Sequence, residues 1–391
     1  MPLRGVRILE LGHTVAVPFT TMLLGDLGAD VIKIEQPGAG DYSRGWYPTV
    51  DGQSPAYLAL NRNKKSLTLN LKLQESREIF YRLVETVDVL VTNFRAKALD
   101  NMGASYETVK KVNPKIIYCS LSGFGEGPYG DRPAYDPVLQ GMGGFMSITG
   151  EPGRPPVRIG IAVVDMSAGM YAAMAILAAL IARQKTGKGQ YVETTLLDSA
   201  ASWMSYAAHY YFLTGNTPPK TGSAHFSIVP YQCFQTNEGE YITVCCGNQP
   251  TWQRLAAELD CEELRREEFS TNVKRVENRD RLIPILERIF RTKTREEWLG
   301  ILLQADVPTG PVNDMKGLFS DPAIIHRKML LEIDHPTLGK IKQIGSAMRF
   351  SDTDFQVRLH PPLLGEHTTE ILKTLGVSDD QIAKLRDNGA I

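Results

Sequence analysis

The first part of the chain alternates between short apolar runs and amphipathic stretches, which is the pattern of strands followed by helices. Residues 6–11 form an apolar, strand-like run, a helical stretch follows at about 18–27, and residues 29–35 form a second strand. Pro18 suits the first turn of the helix, and Gly28 closes it. Such a strand–helix–strand unit is typical of a parallel sheet, because parallel neighbours need a long crossover connection.

Two further units continue the alternation. Strand-like runs at 66–71, 87–94 and 115–120 are separated by helical stretches near 74–87 and 106–112. Three successive alternations predict an α/β fold with a Rossmann-like, doubly wound parallel sheet in a large domain.

The middle of the chain changes character twice. The Gly-rich residues 123–153 predict a loop with little regular structure. Residues 168–182 are apolar and rich in Ala, Gly and Met, but they are fewer than the roughly 20 needed to cross a bilayer. They therefore predict a buried helix, followed by a strand at 191–197 and a helix at 199–212.

A Pro- and Gly-containing segment then separates a second region of different pattern. Residues 231–244 predict a β-hairpin, and three helices follow near 251–258, 279–291 and 294–304. After them come two more strands and a last helix at about 368–375. We therefore predict, in order along the chain, a large domain beginning with 1–214, a linker at 215–224, a smaller α+β domain at 225–320, and a return segment at 321–391 that completes the large domain.

Composition and charge narrow the function classes. Hydrophobic residues make up 43% and charged residues 22%, which excludes intrinsic disorder. The net charge of −1 lacks the basic excess of nucleic-acid-binding proteins, so an anionic ligand must be held by local basic groups. Five cysteines without a Cys-x-x-Cys pair, and scattered histidines, predict neither a disulfide framework nor a metal site. With no signal-like N-terminus, we expect a cytoplasmic protein.

The motifs of the common nucleotide-binding folds are absent. The turn after the first strand, residues 12–18, lacks Gly-x-Gly-x-x-Gly, and the chain has neither a phosphate-binding loop nor a Gly-x-Ser-x-Gly elbow. A Rossmann-like fold alone therefore assigns neither NAD nor ATP.

Asp165 is the most informative single residue, because it lies between a strand-like run and the apolar helix. Aspartate is a favoured helix N-cap, but carboxylates also act as nucleophiles in covalent catalysis. The two roles are compatible, since the helix dipole favours an ionised carboxylate at this end.

A group of basic residues in the first hundred positions is either a solvated surface or a site for a phosphorylated ligand. Asn93, Phe94 and Arg95 favour the second interpretation, because they follow a strand, at the edge where open sheets bind ligands. The group comprises Arg44, Arg62, Lys64, Lys65, Lys72, Arg95 and Lys97.

Several motifs together resemble the class III CoA-transferases, of the CaiB/BaiF type, a family that also contains the α-methylacyl-CoA racemases. The resemblance covers essentially the whole chain, and the order and spacing of the motifs make it specific. The matching segments are 9–13, 25–35, 40–46, 61–66, 92–95, 135–138, 164–167 and 364–368.

The resemblance implies functions for individual residues. Asp165, in the Asp-x-x-x-Gly segment that ends at Gly169, matches the nucleophilic aspartate of the family. It further implies an interlocked, ring-like homodimer, acyl-CoA and a small carboxylic acid as substrates, no permanently bound cofactor or metal, and no nucleic-acid or membrane partner. The positions that match CoA contacts are Val15, Ala16, Leu69, Lys72, Asn93, Phe94, Arg95, Asn101, Tyr135 and Asp136.

The sequence differs from two branches of this family, and the differences indicate which reaction it catalyses. Gln36, Asn101 and Val15 differ from the formyl-CoA transferase pattern, as does the segment 246–249, which disfavours oxalate and formyl-CoA as substrates. Tyr135 stands where the racemases have histidine, and a phenol with a pKa near 10 is a poor base at neutral pH. Transfer is therefore favoured over racemisation.

The segments 222–232 and 335–341 are similar to the succinate–hydroxymethylglutarate CoA-transferase branch. That similarity implies dicarboxylic acids as donor and acceptor, with His225 either meeting a distal carboxylate or serving as a structural residue. Two alternatives stay open: an α-methylacyl-CoA racemase or epimerase, and a CoA-binding paralogue without catalysis.

Overall fold

The computed structural model describes residues 1–391, which divide into two compact units. The first unit consists of residues 1–144, 159–204 and 323–391, and the second consists of residues 145–158 and 205–322. The predicted linker at 215–224 thus lies inside the second unit. The chain passes between units at Ser205 (φ +40°), which separates two helices where one helix was predicted.

Eleven strands and eighteen helices form the fold, along with short 3₁₀ turns. The strands are β1 (Arg7–Leu11), β2 (Asp30–Glu35), β3 (Lys64–Thr68), β4 (Val89–Thr92), β5 (Ile117–Ser122), β6 (Gln190–Thr195), β7 (Tyr231–Gln235), β8 (Tyr241–Cys245), β9 (Thr309–Pro311), β10 (Leu330–His335) and β11 (Gly339–Ile344). The helices are α1 (Ala16–Asp26), α2 (Pro55–Leu60), α3 (Gln74–Val84), α4 (Ala96–Met102), α5 (Tyr106–Val112), α6 (Asp136–Met142), α7 (Phe145–Ile148), α8 (Val163–Thr186), α9 (Leu196–Trp203), α10 (Ser205–Thr214), α11 (Gln249–Glu258), α12 (Asn272–Glu277), α13 (Arg279–Phe290), α14 (Arg295–Gln304), α15 (Met315–Ser320), α16 (Pro322–His326), α17 (Thr368–Thr374) and α18 (Asp379–Asp387).

The first unit is built on a six-stranded parallel sheet of order β3-β2-β1-β4-β5-β6. This confirms the predicted α/β fold with a doubly wound sheet. Leu9 pairs with Ile32 on one side and with Leu90 on the other, so the strand order reverses at β1. A crevice at the carboxyl ends of β1 and β4 is therefore expected, and such switch points bind ligands in open α/β sheets.

Side chains alternate between the two faces of the sheet, and helices cover both. One face packs Leu9, Leu11 and neighbouring apolar residues against α3 and against the C-terminal helices α17 and α18. The other face lies beneath α1, because Thr21 of that helix donates to Glu10 of β1. Both faces are thus buried, as is typical of parallel sheets.

Helix α8 packs closely against α1. A Cβ atom on Gly169 would lie 2.9 Å from the carbonyl oxygen of Ala16, so glycine is required here. The Thr20 hydroxyl also donates to the Gly169 carbonyl at 3.1 Å. Both helices lead into parallel strands and so begin at the carboxyl edge of the sheet, which brings Asp165 to the same edge as Ala16.

The helix predicted around the apolar run 168–182 is confirmed as α8, which extends beyond that run at both ends. The helix has 24 residues, and by length and composition it meets the requirement for a membrane span. Half of its most apolar window is buried within the fold, a property that core helices of globular proteins share.

The Gly-rich region was wrongly predicted as loop, because it contains α6 and α7. Residues 145–158 also belong to the second unit, where the Gly222 amide donates to the Gly150 carbonyl at 3.0 Å.

The second unit contains a three-stranded antiparallel sheet of order β7-β8-β9, and the predicted hairpin at 231–244 is confirmed. Its core includes the aromatic residues Phe234, Phe290 and Trp298, whose rings contact one another in tilted and edge-to-face arrangements. Arg275 is fully buried beside Trp252 and donates to the Val229 carbonyl at 2.7 Å.

Candidate active site

The loop after β1 is fixed at the switch point by side chains from two neighbouring strands. The Asn93 amide, just after β4, accepts from the His13 backbone at 3.1 Å and donates to the His13 carbonyl at 2.9 Å. Thr14 has a left-handed backbone (φ +68°), and its amide donates to Asp41 at 3.0 Å. These bonds define the entry into α1, where the predicted CoA contacts Val15 and Ala16 lie.

The His13 side chain lies at the same place, between the rings of Tyr42 and Phe94 at centroid distances of 4.7 and 5.1 Å. Burial lowers the pKa of His13 below its usual value, so the neutral imidazole is favoured. Its Nδ1 atom is buried and has no hydrogen-bond partner.

A cluster of buried charges supports this loop from beneath α1. Lys33 contacts Glu10 at 2.5 Å and Asp41 at 2.8 Å, and Lys64 contacts Glu10 at 2.9 Å. Although burial alone would raise it, the pKa of Glu10 is lowered by Lys33 and Lys64. We call Glu10, Lys33, Asp41 and Lys64 the buried ion cluster.

The same pairing explains most of the basic group seen in the sequence. Arg44 binds Glu35 through two hydrogen bonds of 2.8 Å, and Arg62 binds Asp26 at 2.6 Å. Lys64 is buried, and Lys65 pairs with Glu370. These four cations are therefore paired within the protein, whereas Lys72, Arg95 and Lys97 are exposed and form no ion pair.

The remaining predicted CoA residues occupy different environments. Leu69 is buried, so its side chain is part of the core, whereas Lys72 is exposed beyond the carboxyl end of β3. Phe94 packs against the core, and Arg95 is exposed at the N-cap of α4. Asn101 is exposed near the C-terminal end of α4, and no contact joins it to the others. The segments 12–16, 69–72 and 93–95 thus share one edge of the sheet.

Asp165 lies in the first turn of α8, but the proposed N-cap role is wrong. The helix begins at Val163 with Ala162 as N-cap, so Asp165 is the third helical residue and makes no capping hydrogen bond. No other donor bonds its carboxylate, which is half-buried. Asp165 is therefore oriented by the helix but left chemically free.

Asp136 performs the capping in its place. Its Oδ1 atom accepts from the amides of Val164 at 2.8 Å and Asp165 at 3.3 Å, and its Oδ2 atom accepts from Gln140 at 2.6 Å. Asp136 is only 4% exposed, whereas its neighbour Tyr135 is 60% exposed. The Asp136 side chain, which the resemblance assigns to CoA, is thus engaged inside the protein.

The environment of Asp165 changes its ionisation. Burial, and then the charge of Asp136, raise the pKa of Asp165 to about 7. A carboxylate in the first turn of a helix is ordinarily stabilised by the dipole. Here that stabilisation is outweighed, and a perturbed carboxyl group near a sheet edge that binds ligands is a candidate catalytic group.

Comparison with known proteins settles the family. Residues 3–368 match the family described as CoA-transferase family III. The chain belongs to CoA-transferase family III. The resemblance expected from its motifs is thereby confirmed.

Relatives of this family III chain include enzymes named for dicarboxylic acids. It is 43% identical to human succinyl-CoA:glutarate CoA-transferase, over 100% of this chain and 90% of the relative. It is 35% identical to succinate–glutarate CoA-transferase of Agrobacterium fabrum, over 96% of both chains. A crystal structure of a CaiB/BaiF family protein from Brucella suis matches with a TM-score of 0.86 and 39% identity, covering 96% of this chain and 99% of the other.

His225 belongs to the second unit. Its Nδ1 atom accepts from the Ser227 amide at 3.1 Å, and its ring stacks on Phe226 at 5.0 Å. Burial, with a smaller contribution from Arg279, lowers the pKa of His225. The neutral form is favoured at pH 7, so a contact with a distal carboxylate stays a prediction.

The second unit also brings together three acids, Glu238, Glu240 and Glu296. Arg295 contacts Glu240 at 3.0 Å and Glu296 at 3.3 Å, so a cation of the protein already balances this group.

The sequence did not reveal Gln140 or the buried ion cluster as parts of the site. Gln140 is an ordinary polar residue in a region predicted as loop. A regular Asp136–Gln140 spacing of four residues is the one signal that could have placed both on a helix face.

Proposed function

We propose that this protein transfers CoA from a dicarboxylyl-CoA, such as succinyl-CoA, to a second free carboxylic acid, with Asp165 as the nucleophile. The observation that carries the proposal is the state of Asp165, a half-buried carboxyl group without a donor and with its pKa raised to about 7. At neutral pH a substantial fraction is ionised, and the carboxylate has no hydrogen bond to break before attack.

The reaction exchanges acyl bonds in two matched halves. A carboxylate oxygen of Asp165 attacks the thioester carbonyl carbon, a C–O bond forms, and CoA leaves as thiolate with the electron pair of the broken C–S bond. The thiolate attacks the Asp165 carbonyl of the mixed anhydride, which releases the donor acid as carboxylate and leaves an aspartyl-CoA thioester. The acceptor carboxylate then runs both steps in reverse and regenerates Asp165. Each step exchanges bonds of similar energy, so no ATP is consumed.

The proposed CoA site is the carboxyl edge of the sheet around the switch point. Val15 and Ala16 begin α1 there, Asn93 and Phe94 follow β4, and ligands of open α/β sheets bind at this edge. Lys72 and Arg95 are exposed and unpaired, and they supply the positive charge that CoA phosphates require.

The substrate class rests on the relatives. Two of them are named for succinate or succinyl-CoA together with glutarate. Transfer is preferred to racemisation, because the Asp136 oxygens are engaged by amides and Tyr135 replaces histidine.

We place the protein in the cytosol as an interlocked homodimer. Helix α10 has no buried residue, and its Phe212 and Leu213 are 71% and 85% exposed. Apolar exposure of this size is characteristic of surfaces that a partner covers, and a second copy is the partner that the family resemblance implies.

The decisive experiment traps the intermediate on Asp165. Wild-type protein is incubated with succinyl-CoA alone, treated with hydroxylamine or borohydride, and mapped by mass spectrometry. We expect modification of Asp165 and of no other acid. Asp165→Ala should lose CoA exchange by roughly a thousandfold or more, as for other nucleophiles.

Asp198→Asn is the matched control, because Asp198 is also an acid in the first turn of a helix, α9, and lies outside the proposed site. It should keep full exchange activity. Succinyl-CoA offered with a panel of acids then identifies the acceptor from the product thioesters. Substantial exchange by the Asp165→Ala protein would disprove the proposal, and solvent deuterium at the α-carbon of a 2-methylacyl-CoA would favour the racemase.

A further inference from the structure

In the first turn of α8, two backbone amides donate to a side chain of another helix. The first four amides of a helix lack partners within the helix, and a polar N-cap side chain commonly supplies one acceptor. The N-cap here is Ala162, which has no such side chain. Asp136, on a different helix, accepts from the amides of Val164 and Asp165 instead.

Gln140 fixes Asp136 and the segment before α8 at the same time. It lies one helical turn after Asp136, is fully buried, and donates to Asp136 Oδ2 at 2.6 Å. The same amide group donates to the Ile161 carbonyl at 3.2 Å and accepts from the Ile159 amide at 2.8 Å. The Gln140 side chain therefore connects Asp136 to Ile159 and Ile161, in the segment that leads into α8.

The amides of the first three helical residues, Val163, Val164 and Asp165, are all occupied. Val163 donates to the Ile161 carbonyl at 2.9 Å, and the regular helix bonds begin with Met166, which donates to the Ala162 carbonyl at 3.0 Å. The amides of Val164 and Asp165 are taken by Asp136. The Asp165 carboxylate thus sits at a helix N-terminus without receiving any of the hydrogen bonds that this position ordinarily offers.

We infer that Asp136 and Gln140 form a clamp that positions Asp165 and withholds the helix amides from its carboxylate, so that Asp165 stays basic and free to attack. The inference rests on the proposed role of Asp165 as the nucleophile. Asp136 and Gln140 are positioning residues, because both are buried and their polar atoms bond inside the protein.

Among the charged groups around α8, Asp136 is the one that acts on Asp165. The charge of Asp136 acts on Asp165, after burial, to raise its pKa. The residues of α1 nearest to Gly169, namely Ala16, Phe19 and Thr20, are uncharged. The charged residues in the elements packed on this helix are Asp26 of α1, Asp136 of α6, Glu193 of β6 and Asp198 of α9.

Asp136→Asn separates the clamp from a plain helix cap. The asparagine oxygen can still accept from both amides, but the negative charge is gone and the asparagine nitrogen cannot accept the bond from Gln140. We expect the acidic limb of kcat/KM for acyl-CoA, near pH 7 in the wild type, to move down by roughly one pH unit, the lower range of shifts caused by a neighbouring charge. At pH 8.5, kcat should fall roughly threefold to tenfold, because a less basic nucleophile attacks more slowly.

A folded Asp136→Asn protein whose limb stays at the wild-type pH would overturn the inference, because a purely structural cap predicts that result. Gln140→Leu keeps the charge of Asp136 and covers the case in which Asp136→Asn does not fold. It should lower kcat roughly threefold or more while leaving the limb and the KM for acyl-CoA unchanged, and an unaltered kcat would equally contradict the clamp.

Asp165→Asn, assayed in parallel, distinguishes failure of the clamp from failure of Asp165 as the nucleophile. Exchange activity in that variant would disprove the proposed function itself. An inactive Asp165→Asn beside an unaltered Asp136→Asn profile would remove only the clamp.

Discussion

Two aspartates at the carboxyl edge of the same sheet have opposite ionisation behaviour. Asp41 contacts Lys33 at 2.8 Å and accepts from Thr14 and Ser43. Burial would raise the pKa of Asp41, yet Lys33 and Ser43 hold it far below its usual range. Asp165 has neither cation nor donor, and burial together with Asp136 raises its pKa to about 7.

The difference shows that burial alone does not make a functional group. A buried charge with complete partners supports the scaffold, and removing one partner leaves the other uncompensated. A buried acid without partners is destabilised in its charged form and is therefore available for chemistry. The buried ion cluster and Asp165 represent these two cases within one unit of the protein.

Removing a cation from the buried ion cluster should produce the largest change in stability. Lys33→Met leaves Glu10 and Asp41 buried without their shared cation, and we expect a loss of about 3–5 kcal/mol of unfolding free energy. Denaturant unfolding at pH 7 measures it. The control is Lys65→Met, which removes an exposed pair with Glu370 and should lose less than about 1 kcal/mol. Equal losses in the two variants would show that the buried ion cluster is not what supports this edge.

Removing the charge of Asp165, the buried acid without partners, should stabilise the protein, and the gain in stability should depend on pH. The pKa of Asp165 is raised from 3.8 to about 7, so ionisation of Asp165 disfavours the folded state as pH rises through that interval. Asp165→Asn should therefore gain stability over wild type above pH 7, by at most about 4 kcal/mol, and the gain should vanish near pH 4.

Asp41→Asn is the counterpart with the opposite sign. Because the pKa of Asp41 is lowered, its ionised form stabilises the fold at neutral pH. That variant should be less stable than wild type at pH 7, and the deficit should shrink as the pH falls. Parallel melting curves across pH measure both variants, and equal signs would refute the contrast.

The smallest expected effect concerns the exposed cations. Replacing Lys72 or Arg95 by Ala removes a charge-assisted contact to CoA phosphate, worth about 1.5–3 kcal/mol. The KM for acyl-CoA should rise about tenfold to a hundredfold, with a smaller change in kcat, because such contacts are similar in ground and transition states. Steady-state kinetics with varied acyl-CoA measure both constants.

Lys115→Ala is the matched control for these two variants. Lys115 is also exposed, but it precedes β5 and so lies at the opposite, amino edge of the sheet. It should leave the KM for acyl-CoA unchanged, as should all three variants for the free acid. If Lys72→Ala and Arg95→Ala behave like Lys115→Ala, the nucleotide site lies elsewhere.

The sequence predicted what local pattern controls. Strand runs such as 6–11 and 29–35 predicted the parallel sheet, and the apolar run 168–182 predicted the helix that Gly169 packs against α1. The Asp-x-x-x-Gly motif also singled out Asp165, whose role as nucleophile stays a prediction.

Partners that are distant in sequence could not be predicted. The capping acceptor of α8, Asp136, precedes Val164 by 28 positions and lies in a Gly-rich region that suggested loop. Likewise, Arg44 and Lys64 were grouped with cations of a solvated surface or a phosphate site, because the sequence does not show that Glu35 and Glu10 pair with them. The pKa of Asp165 follows from such long-range contacts, so no local pattern reveals it.

The large unit is discontinuous, and this affects the order in which it can be completed during synthesis. Residues 323–391 return to it after the whole second unit. They contribute Ile371, Leu372 and Leu385 to the core on one sheet face, and Thr368 bonds the Thr68 backbone at 3.0 Å. A ribosome therefore releases β3 and α3 long before their covering helices exist, and their apolar surface stays exposed until the end. Chains that stop short of α17 are expected to aggregate instead of yielding a working large unit.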